Sequence, residues 1–203
     1  VDVPIDKLIA EMLSNKEFYL QNDGGITISG GEALHQLDAC IELARRTHSN
    51  GLTVALDTTG LIPLEPNLER LKELLSYVDC VLMDFKAGTD EMHSKLCKFK
   101  LERAKAFAKL CSDMGVEMWI RHVVLKHYNA EDDYDLKQIL EFVKTLDTVT
   151  EFDLLPFHNF GSYKWEQCGI EYKCSDDNVP DESDMIRKYE LVKRELPHVK
   201  VTR

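Results

Sequence analysis

The chain has 203 residues, of which 44% are hydrophobic, and its formal net charge is -11 at pH 7. This length and apolar content predict one soluble domain with its own core, spanning residues 1–203, and the excess of Asp and Glu argues against a nucleic-acid partner. No apolar run approaches the roughly 20 residues that a membrane-spanning helix needs, and residues 1–10 contain charges where a secretory signal is apolar. We therefore expect a cytoplasmic protein with neither a nucleic-acid nor a membrane partner.

The chain begins with a predicted helix over residues 2–11, in which Asp2 is the cap and Pro4 lies in the first turn. Residues 24–32 follow, where the β-branched run 26–28 predicts a strand and Gly30-Gly31 predicts a tight turn that lets a ligand approach the backbone. Helical spacing of apolar residues then predicts a helix over 33–46. A turn of this kind either binds a polar group or is purely structural.

The strand-turn-helix pattern recurs along the rest of the chain. Further strands are predicted over 52–57, 80–86, 116–125 and 151–156, and further helices over 65–77, 89–115 with a break around Lys98, 132–146 and 182–196. Apolar strands that alternate with amphipathic helices predict an α/β fold with a parallel sheet. Residues 158–181 are predicted to be a loop, in which 161–181 form either a mobile flap with a partner-binding surface or a segment packed onto the sheet edge.

Polar residues lie at or just after the carboxyl ends of the predicted strands. They are Glu32, Asp57, Asp84, Lys86 and His158. Any one of them is compatible with a solvated loop residue, but the carboxyl ends of parallel strands are where ligands bind in α/β folds. Their recurrence at one edge therefore predicts a single ligand site.

Six cysteines occur without metal-binding spacing: Cys40, Cys80, Cys97, Cys111, Cys168 and Cys174. No two are separated by only two or three residues, so the sequence contains neither a zinc CxxC pair nor a compact iron–sulfur loop. We expect reduced thiols, with Cys40, Cys80 and Cys111 among the apolar core residues.

Five short segments in this order resemble the glycyl-radical-enzyme activases of the radical S-adenosylmethionine family. The segments are Ser29-Gly30-Gly31-Glu32, Leu56-Asp57-Thr58-Thr59-Gly60, Met83-Asp84-Phe85-Lys86, Trp119-Ile120-Arg121, and Leu154-Leu155-Pro156-Phe157-His158 with Lys164-Trp165 and Glu171-Tyr172. The resemblance implies a partial, TIM-like parallel (β/α) barrel with S-adenosylmethionine across its carboxyl edge. It also implies reductive cleavage of this cofactor at a [4Fe–4S] cluster to a 5'-deoxyadenosyl radical, which takes hydrogen from a glycine of a pyruvate formate-lyase-like partner. A flavodoxin or ferredoxin would donate the electron.

The same resemblance implies a role for individual residues. Gly30, Gly31 and Glu32 would receive the methionyl amino group with help from Asp57, Lys86 would pair with the methionyl carboxylate, and Asp84 would serve the ribose hydroxyls or a cation. A monovalent cation would be bound by Asp57, Thr58, Leu82 and Asp84. Arg121 would lie under the cofactor, and Val123, Leu155 and His158 would flank the adenine. The alternatives are an interior ion pair between Arg121 and Asp84 and a loop-capping role for His158.

The sequence departs from the family in one major respect, because it lacks the CxxxCxxC motif whose three thiolates hold the cluster. We therefore expect the 203 residues to be the C-terminal barrel portion of a longer activase that begins after the first strand, and to be inactive alone with no catalytic residue of their own. Thr59 stands where an Asn is usual and His122 where a Tyr follows the arginine. Two other functions remain open: a lyase that forms a Schiff base at Lys86, and a non-catalytic docking domain that uses residues 161–181.

Overall fold

The computed structural model of the protein describes residues 3–21, 24–97 and 99–203. The helices are α1 (Ile5–Ser14), α2 (Lys16–Leu20), α3 (Leu37–Ser49), α4 (Leu64–Leu75), α5 (Asp90–Cys97), α6 (Leu101–Asp113), α7 (Tyr134–Val143), α8 (Ser162–Gln167) and α9 (Glu182–Glu195). The strands are β1 (Gly25–Ile28), β2 (Thr53–Thr58), β3 (Cys80–Asp84), β4 (Glu117–Val124), β5 (Val149–Pro156) and β6 (Lys200–Thr202). Short 3-10 helices span Ala33–Gln36, Asn159–Gly161 and Asp176–Asn178.

The strands form one six-stranded parallel sheet in the order β1-β2-β3-β4-β5-β6. Sheet order therefore follows chain order, as it does when each strand is followed by a helical crossover to the next. The predicted α/β class and the partial (β/α) barrel are confirmed. No helix in the described ranges is long and apolar enough to cross a membrane.

The chain divides into two compact units, which are described separately. The first unit comprises Val1–Asp84, Glu102–Trp119 and Leu146–Val149, and the second comprises Phe85–Leu101, Ile120–Thr145 and Thr150–Arg203. The expectation of a single domain over residues 1–203 stays a prediction.

In the first unit, successive residues of β2 and β3 alternate between two environments. Leu56 and Met83 are fully buried, whereas Asp57, Leu82 and Asp84 are half-buried. Because side chains of a strand alternate between its faces, these three residues share the less buried face. The register pairs Asp57 with Leu82, so these predicted site residues occupy neighbouring strands.

In the second unit, α7 and α9 pack together, and Phe142 of α7 is half-buried against the buried ring of Phe85. The rings of Phe85 and Phe142 lie 5.6 Å apart and are tilted by 58°. Ile139 of α7 and Val192 of α9 are buried in the same unit. Burial of these large side chains is the main stabilising contribution of such a core.

The structure confirms the five predicted strands and corrects several details. The first helix begins at Ile5 with Pro4 at its N-cap and makes no side-chain cap hydrogen bond; Asp2 lies outside the described residues. Lys98 also lies outside them, and the helices on either side end at Cys97 and begin at Leu101.

Other details were missed because the elements are too short to show periodicity. The helices α2 and α8 and the strand β6 have 5, 6 and 3 residues. The segment 158–181, which the sequence predicts to be a loop, contains α8 and two 3-10 helices.

Candidate functional site

The side chain of Glu32 joins the turn after β1 to the end of β2 in the first unit. Its Oε1 accepts hydrogen bonds from the backbone N–H of Leu34 at 3.1 Å and from Thr58 Oγ1 at 2.5 Å. Its Oε2 accepts from the backbone N–H of Thr59 at 2.9 Å and from the Thr59 hydroxyl. A carboxylate has about four acceptor positions, so these donors fill them.

The four hydrogen bonds keep Glu32 ionised. Burial alone raises the pKa of this carboxyl group, but the hydrogen bonds from Thr58, Thr59 and Leu34 outweigh the burial and lower the pKa below its usual value. The site therefore carries a fixed negative charge directly after the glycine pair.

The two glycines before Glu32 present open backbone. Gly30 has a φ of +151°, in a region that favours glycine, and it is exposed together with Gly31. Among the described residues beyond its chain neighbours, no heavy atom lies within 4 Å of where a Cβ would stand at either position. A ligand can therefore approach these peptide groups closely.

Asp57 lies beside the same turn. Ser29 Oγ donates a hydrogen bond to Asp57 Oδ2 at 3.0 Å, which connects the loop after β1 to the end of β2. Thr58, the next residue, is buried, and its hydroxyl donates to Glu32 and accepts from the backbone N–H of Gly60 at 3.0 Å. The structure thus brings Glu32, Asp57 and Thr58 together, with the Thr58 hydroxyl committed to Glu32.

The second unit contains five of the predicted site residues. Lys86, Arg121 and Val123 are half-buried, and Leu155 and His158 are exposed. The backbone N–H of Phe85 donates to the carbonyl of Arg121 at 2.9 Å, so the residue before Lys86 is paired with β4.

His158 is positioned before a 3-10 helix but does not cap it. Its side chain makes no cap hydrogen bond to Asn159–Gly161 in the described structure. Its ring lies 4.7 Å from the ring of Phe160, which is 83% exposed. The capping alternative is therefore not supported, and the His158 ring remains a flat surface that a planar ligand can stack on.

Sequence analysis missed a set of buried polar side chains in the second unit. His122, Asn129 and Asp135 are 0%, 2% and 4% exposed. His122 was noted only as a departure from the family. The partners of Asp135 are backbone groups 46–47 positions away, and those of Asn129 lie in a nearby turn whose geometry the sequence does not show. Burial lowers the pKa of His122.

The described residues do not fit an iron–sulfur cluster. Within residues 3–21, 24–97 and 99–203, no group of three or more His, Cys, Asp or Glu side chains is arranged to hold a metal ion. The cysteines are free thiols; Cys40 and Cys111 are buried as expected, whereas Cys80 is half-buried. These residues therefore receive no part in binding a cluster.

Comparisons with known proteins agree with the fold. The sequence profile of the Radical SAM superfamily matches residues 2–142. The pyruvate formate-lyase-activating enzyme of Staphylococcus epidermidis is 33% identical over 193 residues, which cover 94% of this chain and 76% of that protein.

Two solved structures share the fold. A domain of the pyruvate formate-lyase-activating enzyme from Bacteroides vulgatus superposes with a TM-score of 0.69 at 23% identity, covering 88% of this chain and 98% of that one. Streptococcus suis SuiB bound to S-adenosylmethionine superposes with a TM-score of 0.71 at 13% identity, covering 99% of this chain and 44% of that one. At these identities the likeness concerns the fold alone.

Proposed function

We propose that this chain, which belongs to the radical SAM superfamily and within it to the pyruvate formate-lyase-activating enzymes, binds S-adenosylmethionine and serves to place a radical on a glycine of a pyruvate formate-lyase-like enzyme. The observation that carries the proposal is the 33% identity to such an activase over 94% of the chain. The Gly30-Gly31-Glu32 turn supports it, because an open backbone beside a fixed negative charge suits a ligand with a free ammonium group.

The hydrogen bonds of Glu32 indicate which groups of the turn would bind the methionyl ammonium. Since both of its oxygens already accept from protein donors, we assign reception of the methionyl ammonium chiefly to the backbone carbonyls of Gly30 and Gly31. Glu32 fixes the turn and supplies the negative charge, and Asp57 adds a second carboxylate from β2. S-adenosylmethionine thus fits the donor and acceptor groups of the first unit.

The predicted site residues of the second unit have the following roles under this proposal. Lys86 pairs with the methionyl carboxylate, because an ammonium on a flexible stem is a compact counter-charge for it. Arg121 supports the cofactor from beneath, and Val123, Leu155 and His158 flank the adenine. Asp84, from the first unit, serves the ribose hydroxyls.

We further propose that a monovalent cation is bound near the end of β2 and β3 by Asp57, Thr58, Leu82 and Asp84. The register that pairs Asp57 with Leu82 supports this assignment. Since the Thr58 hydroxyl is committed to Glu32, its backbone carbonyl is the better ligand. A dependence of S-adenosylmethionine affinity on K⁺ or Na⁺ would test the cation.

When bound, S-adenosylmethionine and a [4Fe–4S] cluster would supply the one-electron radical chemistry that the proposed activity on glycine requires. We propose that the ligands of the [4Fe–4S] cluster lie outside these 203 residues, so that the residues alone are inactive and hold only part of the site. The working protein then needs a cluster-bearing chain and a cytoplasmic one-electron donor such as flavodoxin or ferredoxin.

The test is a calorimetric titration of S-adenosylmethionine into the proposed full-length protein that contains these residues together with the cluster, called the cluster-loaded protein here, and into its Asp57→Ala and Lys86→Ala variants. We expect both variants to bind more weakly. Asp113→Ala and Lys144→Ala are matched controls, because these residues form exposed ion pairs on helix surfaces and should leave affinity unchanged. Equal affinity of all five proteins would contradict the site.

A second experiment tests the activity. The cluster-loaded protein, reduced and mixed with S-adenosylmethionine and pyruvate formate-lyase, should produce the electron paramagnetic resonance signal of a glycyl radical. A protein that binds S-adenosylmethionine but never yields this signal with pyruvate formate-lyase would contradict the proposed partner.

A further inference from the structure

The segment Phe85–Thr89, which contains Lys86, is held at both ends by buried side chains of the second unit. At its start, His122 Nδ1 lies 2.8 Å from the carbonyl oxygen of Phe85. At its end, the Asp135 carboxylate accepts hydrogen bonds from the backbone N–H groups of Gly88 at 2.9 Å and Thr89 at 3.0 Å, and from the Thr89 hydroxyl at 3.0 Å.

The hydrogen bonds of Asn129 determine which nitrogen of His122 carries the proton. Asn129 Oδ1 accepts from the backbone N–H of Leu125 at 2.7 Å, and Asn129 Nδ2 donates to the carbonyl of Val123 at 3.0 Å. These two backbone groups cannot exchange roles, so the orientation of the amide is fixed. Asn129 Nδ2 then donates its second hydrogen to His122 Nε2 at 3.2 Å.

It follows that His122 Nε2 is an acceptor and that Nδ1 carries the proton. The Nδ1–H group therefore donates to the Phe85 carbonyl, and the ring is neutral, in agreement with its complete burial. The chain of hydrogen bonds runs from Leu125 and Val123 through Asn129 and His122 to Phe85. A buried network in which each member is satisfied fixes its backbone partners more strongly than exposed hydrogen bonds do.

The position of His122 in β4 connects the buried hydrogen-bond network to the predicted site residues on either side of it. His122 lies on the fully buried face of the strand, whereas its neighbours Arg121 and Val123 lie on the half-buried face. Phe85 also donates its N–H to the carbonyl of Arg121. The network thus fixes the backbone on both sides of His122 and the residue directly before Lys86.

Gly88 allows the Phe85–Thr89 segment to lie close to Asp135. A Cβ at this position would stand 2.0 Å from the carbonyl oxygen of Asp135 and 2.9 Å from the backbone nitrogen of Ile139. Only glycine lets the segment approach the start of α7 closely enough for the Asp135 carboxylate to accept from it.

We propose that His122, which Asn129 orients, and Asp135 are positioning residues that hold the Phe85–Thr89 segment so that Lys86 is presented in one fixed place to its anionic ligand group. This inference rests on the proposed function, because it takes the methionyl carboxylate as that group. Neither residue contacts the cofactor; both act on the backbone that carries Lys86.

A double-mutant cycle tests the proposal by measuring S-adenosylmethionine affinity in the cluster-loaded protein. His122→Phe keeps an aromatic ring and removes the hydrogen bonds, and we expect affinity to fall by about tenfold or more, since small misplacements of a positioning group are costly. In a Lys86→Ala background the same change should have little further effect, because the effect of His122 on affinity passes through Lys86.

The matched control is His93→Phe. His93 is another buried histidine of the second unit, 1% exposed, whose Nδ1 lies 2.7 Å from the carbonyl oxygen of Phe99. The His93→Phe variant should lower stability in the same way as His122→Phe and leave the affinity for S-adenosylmethionine unchanged. An equal loss from His122→Phe with and without Lys86, or no loss while Lys86→Ala weakens binding, would overturn the inference without touching the proposed function. If the wild-type protein does not bind S-adenosylmethionine, the proposed function itself fails.

A second measurement uses the wild-type protein, so it does not depend on whether a variant folds. The ring ¹⁵N chemical shifts of His122 in the wild-type protein should show a neutral ring protonated at Nδ1 at neutral pH. An Nε2-protonated or doubly protonated ring would overturn the hydrogen-bond relay.

Discussion

The Glu32 carboxylate accepts hydrogen bonds from both the backbone N–H and the hydroxyl of Thr59, a residue 27 positions later in the chain. The acidic residue of the glycine turn is therefore tied by hydrogen bonds to the end of the neighbouring strand. Gln keeps the shape of this side chain but replaces one acceptor oxygen with a donor NH₂ group, so Glu32→Gln tests what the accepted hydrogen bonds contribute to stability.

We expect Glu32→Gln to destabilise the protein by about 1–3 kcal/mol, since the amide NH₂ must face an N–H of Leu34 or Thr59 and leave that donor unsatisfied. Urea unfolding measures the change. Glu42→Gln is the control, because Glu42 forms exposed ion pairs with Arg45 and Arg46 and should change stability much less. Equal shifts in the two variants would show that the Glu32 hydrogen bonds do not contribute.

Much of the fold was predictable from apolar periodicity. The strands around Ile26, Val54, Val81, Ile120 and Phe152 were all found, because buried parallel strands are nearly continuous apolar runs. The strand β6 could not be found, since three residues, Lys200–Thr202, carry no measurable period. The helix α8 has only six residues, mostly polar, and its sequence is equally typical of a loop.

The candidate site was predictable only in part, for a different reason. Glu32 and Asp57 could be identified from their positions after strands, but the partners that fill the Glu32 acceptor positions depend on the register between β1 and β2. His122 and Asp135 act on backbone groups 37 and 46–47 positions away. A side chain whose partner is a distant peptide group leaves no residue-type signal at the partner's position.

A substitution at Gly88 should be severely destabilising. In Gly88→Ala the new methyl group would meet the Asp135 carbonyl at 2.0 Å, so the backbone of the segment must shift and the bonds to the Asp135 carboxylate are lost. We expect a cost of about 3 kcal/mol or more, measured by urea unfolding. Gly161→Ala is the control, because a Cβ there meets no heavy atom of the described residues within 4 Å, beyond its chain neighbours, and stability should hardly change. A mild effect at Gly88 would contradict the close approach.

The buried Lys188 should make stability depend on pH in the alkaline range. Its side chain is 0% exposed, its Nζ donates to the carbonyl of Asp132 at 2.6 Å, and burial lowers its pKa. The unfolded chain therefore holds this proton to higher pH than the folded chain does, and stability rises with pH up to the ordinary lysine pKa of about 10.4. The stability of the wild type relative to Lys188→Met should accordingly increase as the pH rises from the lowered folded pKa toward the ordinary lysine pKa.

Lys144 provides a control of opposite sign. Hydrogen bonds to Glu141 and Glu195 raise the pKa of this exposed lysine, so its contribution is present at neutral pH and is lost as the pH rises through its folded pKa. The stability of the wild type relative to Lys144→Met should therefore stay constant as the pH rises to about 10 and decrease only above the ordinary lysine pKa of about 10.4. Urea unfolding at a series of pH values measures both differences, and a parallel trend in the two variants would contradict the assignment for Lys188.

The cysteines should react with an alkylating reagent in the order of their exposure. Cys168 is exposed, whereas Cys40 is 4% exposed and Cys111 is fully buried. Burial raises the pKa of the Cys40 thiol to about 11, and its Sγ–H donates to the carbonyl of Ala33 at 3.1 Å. The thiolate is the reactive form, so at pH 8 only about one Cys40 thiol in a thousand would be reactive even if the reagent had access.

Timed alkylation followed by peptide mass spectrometry measures these rates. We expect Cys168 to be modified first and Cys40 and Cys111 to be modified only as the first unit opens, at a rate that follows its unfolding equilibrium. Urea just below the unfolding transition should therefore accelerate the modification of Cys40 and Cys111 together and leave Cys168 unchanged. If Cys40 instead reacted as fast as Cys168 in the absence of urea, the packing of α3 against β1 and β2, which buries Cys40, would be looser than the structure shows.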